Sequence, residues 1–278
     1  MGEYAGRTVV VTGAGSGLGA AMAEAFAAEG ANLALLDIDG ERVEAKAQEL
    51  RVRGVDAFAQ RLDVADVSAL QSAADAVRER FGGCDVLCAN VGVQQFGAIE
   101  VLTEQDWDWV LSTNVKGVIG TVAAFLPLLR IAGGQRHIVL TASSSVFQPG
   151  IRMAAYVASK FAVVGYGEVL RMELADEGIN VSLLFPSGMR TRHLDSSKAA
   201  RPVELGESRF DRADLVAMQS SADIHSSDHV ATPEHAIRNL LTDLRNNERY
   251  IITHGNYRSG VEAMQAEVVA AFKRMETN

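Results

Sequence analysis

The chain has 278 residues, 48% of them hydrophobic and 22% charged, with a formal net charge of -9. That composition excludes a collagen-like, disordered or disulfide-scaffold protein, and at this length one buried core suffices, so a single domain is expected over 1–278. The acidic excess repels phosphate backbones and anionic lipid, so neither nucleic acid nor a membrane is an expected partner.

From the first residues onward, short β-branched runs alternate with longer amphipathic ones, the pattern of repeated βαβ units around a parallel sheet. Strands are expected near 7–12, 32–37, 56–62, 84–89, 136–141, 179–185 and 249–253. Leu18, Met22, Ala25 and Phe26 share one face of a first helix, and Val43, Ala47 and Leu50 one face of a second. Further helices fit 66–80, 103–131, 153–177, 233–246 and 257–274. Between Ser187 and His229 the rhythm breaks: eight Ser, six Lys/Arg, seven Asp/Glu and three His leave little apolar periodicity. A stretch that long inside a compact domain reads as a lid or substrate loop, here 187–232, with a helix–strand–helix tail over 233–278.

Cys84 and Cys88 stand four apart in an extended segment, too far for the disulfide limit of about 7 Å, and read as small buried hydrophobes in a reducing compartment. Met1–Arg7 lacks the cationic flank of a secretion signal, and no run of 18 apolar residues occurs, so a cytoplasmic location is expected.

Directly after the first strand comes Thr12-Gly13-Ala14-Gly15-Ser16-Gly17-Leu18-Gly19, opening into the first helix. Glycine there allows a tight turn and close backbone approach to a pyrophosphate seated on the positive end of the helix dipole. Asp37 ends the second strand, 18 residues beyond Gly19, where its carboxylate can accept both ribose hydroxyls of an adenosine and repel a 2'-phosphate. With Asp39 nearby and Ser16 rather than a basic residue in the turn, nothing basic stands ready to neutralise that phosphate, so NAD is expected over NADP.

Tyr156 and Lys160 fall one helical turn apart on one face. A phenol near pKa 10 must drop by roughly two to three units to serve as a base, about 3 to 4 kcal/mol, and an ammonium about 4 Å away supplies that much. His225 and His229 are also i, i+4, but no third ligand has a convincing spacing, so no metal is expected. Trp107 and Trp109 read as packing residues between helices.

The glycine pattern, Ala89-Asn90-Val91-Gly92, Asn114 in Asn114-Val115-Lys116-Gly117, Ser143 standing 13 residues before Tyr156, and Tyr156 with Lys160 together resemble the short-chain dehydrogenase/reductase superfamily. The resemblance spans about 5–192 as a dinucleotide-binding and catalytic core. It implies an α/β fold, a Rossmann-type doubly wound parallel sheet of about seven strands flanked by helices. Tyr156 would then be the general acid/base, Ser143 would polarise the substrate oxygen, and Lys160 would bind the nicotinamide ribose while lowering the Tyr156 pKa. Asn114 would hold a water linking Lys160 to solvent. Gly13, Ser16, Gly17, Leu18 and Gly19 would cradle the cofactor with Asp37; Asp63 and Val64 would contact adenine, and Asn90 would line the adenosine side. Pro186-Ser187-Gly188-Met189-Arg190-Thr191 is similar to the superfamily's Pro-Gly-x-Val-x-Thr, whose main chain and Thr grip the carboxamide, so Pro186, Met189 and Thr191 join the set.

Two positions depart from that pattern. Ala89 replaces a first Asn, at a cost of about 1 kcal/mol. Ser187 replaces a Gly, and would be strained if the turn required a positive φ. Ser144 and Ser145 compete with Ser143 should a one-residue bulge shift the register.

The implied chemistry is NAD-linked hydride transfer between a secondary alcohol and a ketone, run toward the ketone where oxidised NAD is in excess. Val93, Gln94, Gln95, Phe96, Ser145, Phe147, Met153, Met189 and the lid are the expected substrate walls, mostly apolar and suited to a bulky alcohol. The tail Tyr250-Ile251-Ile252-Thr253-His254, with Tyr257-Arg258, is similar to tails of superfamily members that oxidise aryl-alkyl or other hydrophobic secondary alcohols. The helix over 155–175 is apolar on nearly every face, which calls for a covering partner; the resemblance implies a homotetramer, with a dimer as the smaller alternative. Two rival readings are an NADPH-type biosynthetic reductase of ketone or carrier-bound acyl substrates, which Asp37 opposes, and a non-catalytic NAD-binding regulator, which the presence of Tyr156, Lys160 and Ser143 opposes.

Overall fold

The β-branched run Thr8–Thr12 is buried at every position and forms β1, the strand on which the sheet is built. It is followed by α1 (Gly17–Ala28), β2 (Asn32–Asp37), α2 (Gly40–Val52), β3 (Ala57–Arg61), α3 (Val67–Phe81) and β4 (Val86–Ala89). Then come α4 (Glu104–Leu111), a π-helical turn (Ser112–Lys116), α5 (Gly117–Ile131), β5 (Arg136–Thr141), α6 (Ala154–Glu173) and β6 (Ile179–Phe185). The last third holds β7 (Gly188–Met189), α7 (His193–Ala200), α8 (Arg212–Ser221), β8 (Val230–Ala231), α9 (Pro233–Ala236), α10 (Leu240–Arg245), β9 (Tyr250–Ile252) and α11 (Arg258–Glu276). This computed structural model describes residues 2–191, 193–221 and 230–276, without the side chains of 219–221; His225 and His229 lie outside the described residues.

Seven strands pair in parallel in the order β3-β2-β1-β4-β5-β6-β9, a single doubly wound Rossmann-like domain. The order reverses between β1 and β4, and in such sheets a crevice opens there at the carboxyl ends of the strands. One apolar layer, with Leu70, Phe125, Leu129 and Val163, packs α3, α5 and α6 on one face. Another, with Met22, Phe26, Leu50 and Leu240, packs α1, α2 and α10 on the other. Cys84 and Cys88 are free and buried inside these layers, and burial pushes the Cys88 thiol up to about 12.

All seven expected strands form, within a few residues of their expected ends. Three helical expectations need correction. The helix over 103–131 is interrupted by the π-turn at Ser112–Lys116. Glu104–Ile131 is long and apolar enough to cross a membrane by length and composition alone, but half of its apolar window is buried here, as in a core helix. The helix over 233–246 is two short ones, α9 and α10. Finally, the segment 187–229 carries α7 and α8, because Leu194, Phe210, Leu215 and Met218 supply apolar anchors too sparse to register as a period. At its base β7 pairs with β8, closing the excursion.

Candidate active site

At the carboxyl end of β1 the chain turns at Gly13 and Gly17 into α1. Gly17 has φ +54, and a Cβ on Gly19 would stand 2.1 Å from the Gly13 carbonyl oxygen, so only glycine fits either place. Ser16 caps α1 without a side-chain hydrogen bond, leaving the helix's first amides directed at the crevice. Leu18 is buried beneath the turn. Thr191 crosses above it, its Cγ2 3.5 Å from where a Gly17 Cβ would be.

Asp37 at the end of β2 accepts the Gly15 amide at 2.9 Å and the Asp39 amide at 2.9 Å. Burial raises its pKa against these hydrogen bonds. The expectation that nothing basic lies here is corrected: Arg42 and Arg61 line the same end of the cavity. Arg42 is paired with Asp39 at 2.8 Å, and Arg61 Nε donates to the Ile38 carbonyl at 3.1 Å. Arg61 is remote in sequence and is set opposite Asp37 by the register of β2 and β3, whereas Arg42, close in sequence, is brought back by the turn into α2.

Asp63 and Val64 line the cavity after β3, Asp63 closing a turn onto the Ala65 amide at 2.9 Å. Asn90 lines it after β4 while tying strand ends together, its amide donating to the Thr12 carbonyl at 3.2 Å and accepting Thr141 Oγ1 at 3.1 Å. Pro186 accepts the Ser144 amide at 2.9 Å, and Met189 accepts the Thr191 amide at 2.8 Å. Ser187 has no positive φ, so the Ser-for-Gly departure is unstrained, and its hydroxyl pairs with Tyr257 of the tail.

Tyr156 and Lys160 lie on the inner face of α6, both buried. Lys160 Nζ is 5.7 Å from the Tyr156 ring centroid and donates to the Thr141 carbonyl at 2.9 Å. Burial brings the Lys160 ammonium down to about 8. The Tyr156 phenol is raised by burial, while hydrogen bonds with the side chains of Ser143 and Gln94 pull the other way. Burial outweighs these hydrogen bonds, with the Lys160 ammonium 5.7 Å from the ring centroid. Of the three competing serines, Ser143 reaches the phenol; it also caps the following turn by accepting the Ser145 amide at 3.1 Å.

Asn114 occupies the π-turn, a distortion frequent at functional sites. It clasps Val93, accepting its amide at 2.7 Å and donating to its carbonyl at 2.9 Å, and donates to Ser159 at 2.9 Å. Lys160 Nζ and Asn114 Oδ1 converge above Gly92, 3.1 and 3.6 Å from where its Cβ would stand.

Of the expected site residues, all but Gly19 and Asn114 line one cavity of about 1200 Å³, larger than the roughly 300–1,000 Å³ of an ordinary ligand site. It runs from the Asp37 end past Tyr156 to an apolar cluster of Phe96, Met153, Tyr156 and Met218 with Leu194 and Leu215. Of the expected walls, Val93, Gln94, Phe96, Ser145, Met153 and Met189 line it; Gln95 and Phe147 do not. Gln95 is turned to Arg201 and Ser208, and Phe147 stacks on Phe185 at 4.7 Å. Trp107 packs as expected, whereas Trp109 also lines the cavity.

Sequence reading missed His193, on the cavity wall at the start of α7, whose imidazole is brought down to about 4 by burial and by the Lys160 charge. Its place two residues after Thr191 was the available signal. Missed as well were two ion pairs that fasten α7 and α8: Arg201 to Asp106 of α4 at 2.7 Å, and Arg152 to Asp214 at 2.8 Å. Among the described residues no group of His, Cys, Asp or Glu side chains is arranged to hold a metal ion.

This geometry, a dinucleotide-sized cradle leading to a buried Ser-Tyr-Lys cluster, is that of an alcohol–ketone oxidoreductase, and the family model described as short chain dehydrogenase matches residues 7–202. The chain belongs to that family, whose members act on CH–OH groups. Over 280 aligned residues it is 30% identical to a C alpha-dehydrogenase of a Sphingobium species, covering 100% of this chain and 90% of the relative. It is 40% identical over 189 residues to a D-threitol dehydrogenase of Mycolicibacterium smegmatis, covering 67% and 71% respectively. The crystal structure of a short chain dehydrogenase/reductase from Burkholderia phymatum in complex with NAD superposes with a TM-score of 0.83 at 32% identity, covering 100% of this chain and 96% of that one.

Proposed function

We propose that this protein is an NAD-dependent dehydrogenase of bulky apolar or aryl-alkyl secondary alcohols. The carrying observation is the single cavity in which the Asp37 end, the Ser143–Tyr156 contact and an apolar wall from Phe96 to Met218 are continuous. The glycine turn fits a pyrophosphate, since Gly13, Ser16 and Gly17 line the cavity at the start of α1 and a side chain on Gly19 would collide with the Gly13 carbonyl that shapes the turn. Gly13, Ser16, Gly17, Leu18 and Gly19 hold the phosphates, Asp37 the adenosine ribose, Asp63, Val64 and Asn90 the adenine side, and Pro186, Met189 and Thr191 the nicotinamide end.

NAD, when bound, supplies the hydride acceptor for the alcohol carbon. Ser143 holds the substrate oxygen and Tyr156 Oη takes its proton. Lys160, still largely protonated at neutral pH, supplies positive charge near the phenolate and the nicotinamide ribose. Asn114 keeps Val93 and the Ser159 hydroxyl in register and would hold a water that links Lys160 to solvent. The preference for NAD rests on Asp37, with Arg42 neutralised by Asp39.

The exposed outer face of α6, with Phe161, Val169 and Met172, supports a homotetramer, with a dimer as the smaller alternative. A cytoplasmic location fits two free buried cysteines. A screen of secondary alcohols followed by NADH absorbance, with NAD and NADP in parallel, tests the reading. Aryl-alkyl carbinols are expected to turn over with NAD well ahead of tetritols; turnover confined to polyols, or to NADP, overturns it.

A further inference from the structure

The C-terminal helix α11 runs about 28 Å, at 1.5 Å per residue, without burying a single side chain. Its large apolar residues are exposed: Met264 is 47% exposed, Val268 51%, Phe272 59% and Met275 67%. They are ordered. Val261, Val268 and Met275 recur every seven residues, with Met264 and Ala271 three residues after the first two, so all five fall on one stripe. Amphipathic helices owe their stability in water mainly to the packing of such a stripe, and α11 buries no residue of it among the described residues.

From this we infer that α11 pairs antiparallel with α11 of a second copy of the chain, across a two-fold axis close to Ala270 and Ala271. Charge selects that occupant. Glu267 and Arg274 stand seven residues apart beside the stripe, so reversal of one helix sets each copy's Glu267 against the partner's Arg274, twice per dimer. Within its own helix Glu267 has Ala263 and Ala271 four residues to either side, so the carboxylate serves no i, i+4 pair there. The alanines at 270 and 271 let two backbones come close where the axis passes. A lipid surface is the poorer occupant: α11 carries three basic residues, Arg258, Lys273 and Arg274, against three acidic ones, Glu262, Glu267 and Glu276, and lacks the cationic excess that anionic headgroups attract.

This interface is separate from the α6 face and does not depend on the proposed substrate. It does touch the site, because Tyr257, the residue before α11, lines the catalytic cavity and is bonded to Ser187. Pairing of the two helices therefore fixes one wall of each cavity.

Light scattering and sedimentation of the full chain test the inference. The double variant Val268→Glu/Phe272→Glu is expected to halve the mass of the particle at micromolar concentration, with the far-ultraviolet circular dichroism of the sheet domain and its thermal transition retained. Glu267→Arg is expected to weaken association about tenfold, by reversing two pairs at once, and Glu267→Arg/Arg274→Glu to bring it back to within about threefold of the parent. These exposed charge variants carry the test if the double apolar variant does not fold. An unchanged mass for folded Val268→Glu/Phe272→Glu, a charge swap as weak as the single reversal, or a monomeric parent that binds anionic vesicles through α11 overturns it.

Discussion

Lys160 Nζ stands over the face of the Tyr156 ring, 5.7 Å from its centroid, and is held there by the Thr141 carbonyl at 2.9 Å. The phenolic oxygen is addressed instead by Ser143 and Gln94. Tyr156→Phe removes the oxygen and leaves the ring in its apolar cluster. It is expected to lower kcat at least about 100-fold with NAD affinity nearly intact, as for loss of a general base. Steady-state kinetics and NADH-quench titration check this; a variant within threefold of the parent removes Tyr156 from the mechanism.

A buried ammonium carries a cost in stability. Lys160 is brought from 10.5 in the unfolded chain to about 8 in the fold by burial. Below pH 8 both states are protonated and the fold bears the full penalty, about 3 kcal/mol at 1.36 per unit. Between pH 8 and 10.5 the unfolded chain binds the proton and the native state does not, so stability rises with pH across that window. Lys160→Met is therefore expected to be inactive yet more stable at pH 7 by about 2 kcal/mol, after loss of the Thr141 hydrogen bond. That advantage should fade as the pH approaches 10.5. Chemical denaturation at pH 7 and pH 10 checks the sign.

The sheet, the glycine turn and the Ser143, Tyr156 and Lys160 set were legible because each is written locally: β-branched runs, consecutive glycines, or a helical i, i+4 spacing. What escaped depends on partners far apart in the chain, or on a local turn that composition does not mark. Arg42 and Arg61 reach the Asp37 end from α2 and β3, and Arg201 reaches Asp106 across 95 residues of sequence. The π-turn at Asn114 leaves no trace in composition, because Ser112–Lys116 reads as ordinary helix. Ser187 looked strained only while its backbone was assumed to follow a glycine; the fold gives it no positive φ and a hydroxyl partner in Tyr257.

The choice between NAD and NADP turns on a balance of charge at the end of β2. Asp37→Ala removes one carboxylate and is expected to narrow the NAD/NADP ratio of kcat/KM by at least about tenfold, the worth of one charged hydrogen bond. Asp37→Ala/Asp39→Ala additionally releases Arg42 from its 2.8 Å ion pair, so NADP use should improve beyond the single variant. An equal ratio for the two variants would show that Arg42 does not reach the phosphate.

Arg201 and Asp106 form an ion pair at 2.7 Å with side chains only 9% and 7% exposed. Burial raises the Asp106 carboxyl, but the Thr103 amide and hydroxyl and the Arg201 guanidinium outweigh it, and its pKa is lowered. The pair's contribution is thus present above the ordinary carboxylate pKa and is lost as the pH falls through the lowered value. The same guanidinium donates to Gln95 at 3.0 Å, to the Gly206 carbonyl at 2.8 Å and to the Leu205 carbonyl at 3.2 Å, and lies over Trp109. It fastens α7 and the turn after it to α4, against the cavity. Arg201→Met strands a buried carboxylate and is expected to cost about 3 kcal/mol of stability, with a KM for the alcohol raised several-fold and NAD affinity unchanged. Arg201→Lys should not restore the KM, because one ammonium cannot serve donors directed four ways. A Lys variant with parental KM, or an Arg201→Met variant that loses NAD and alcohol affinity alike, would mean that the contact supports the fold as a whole and not the substrate wall.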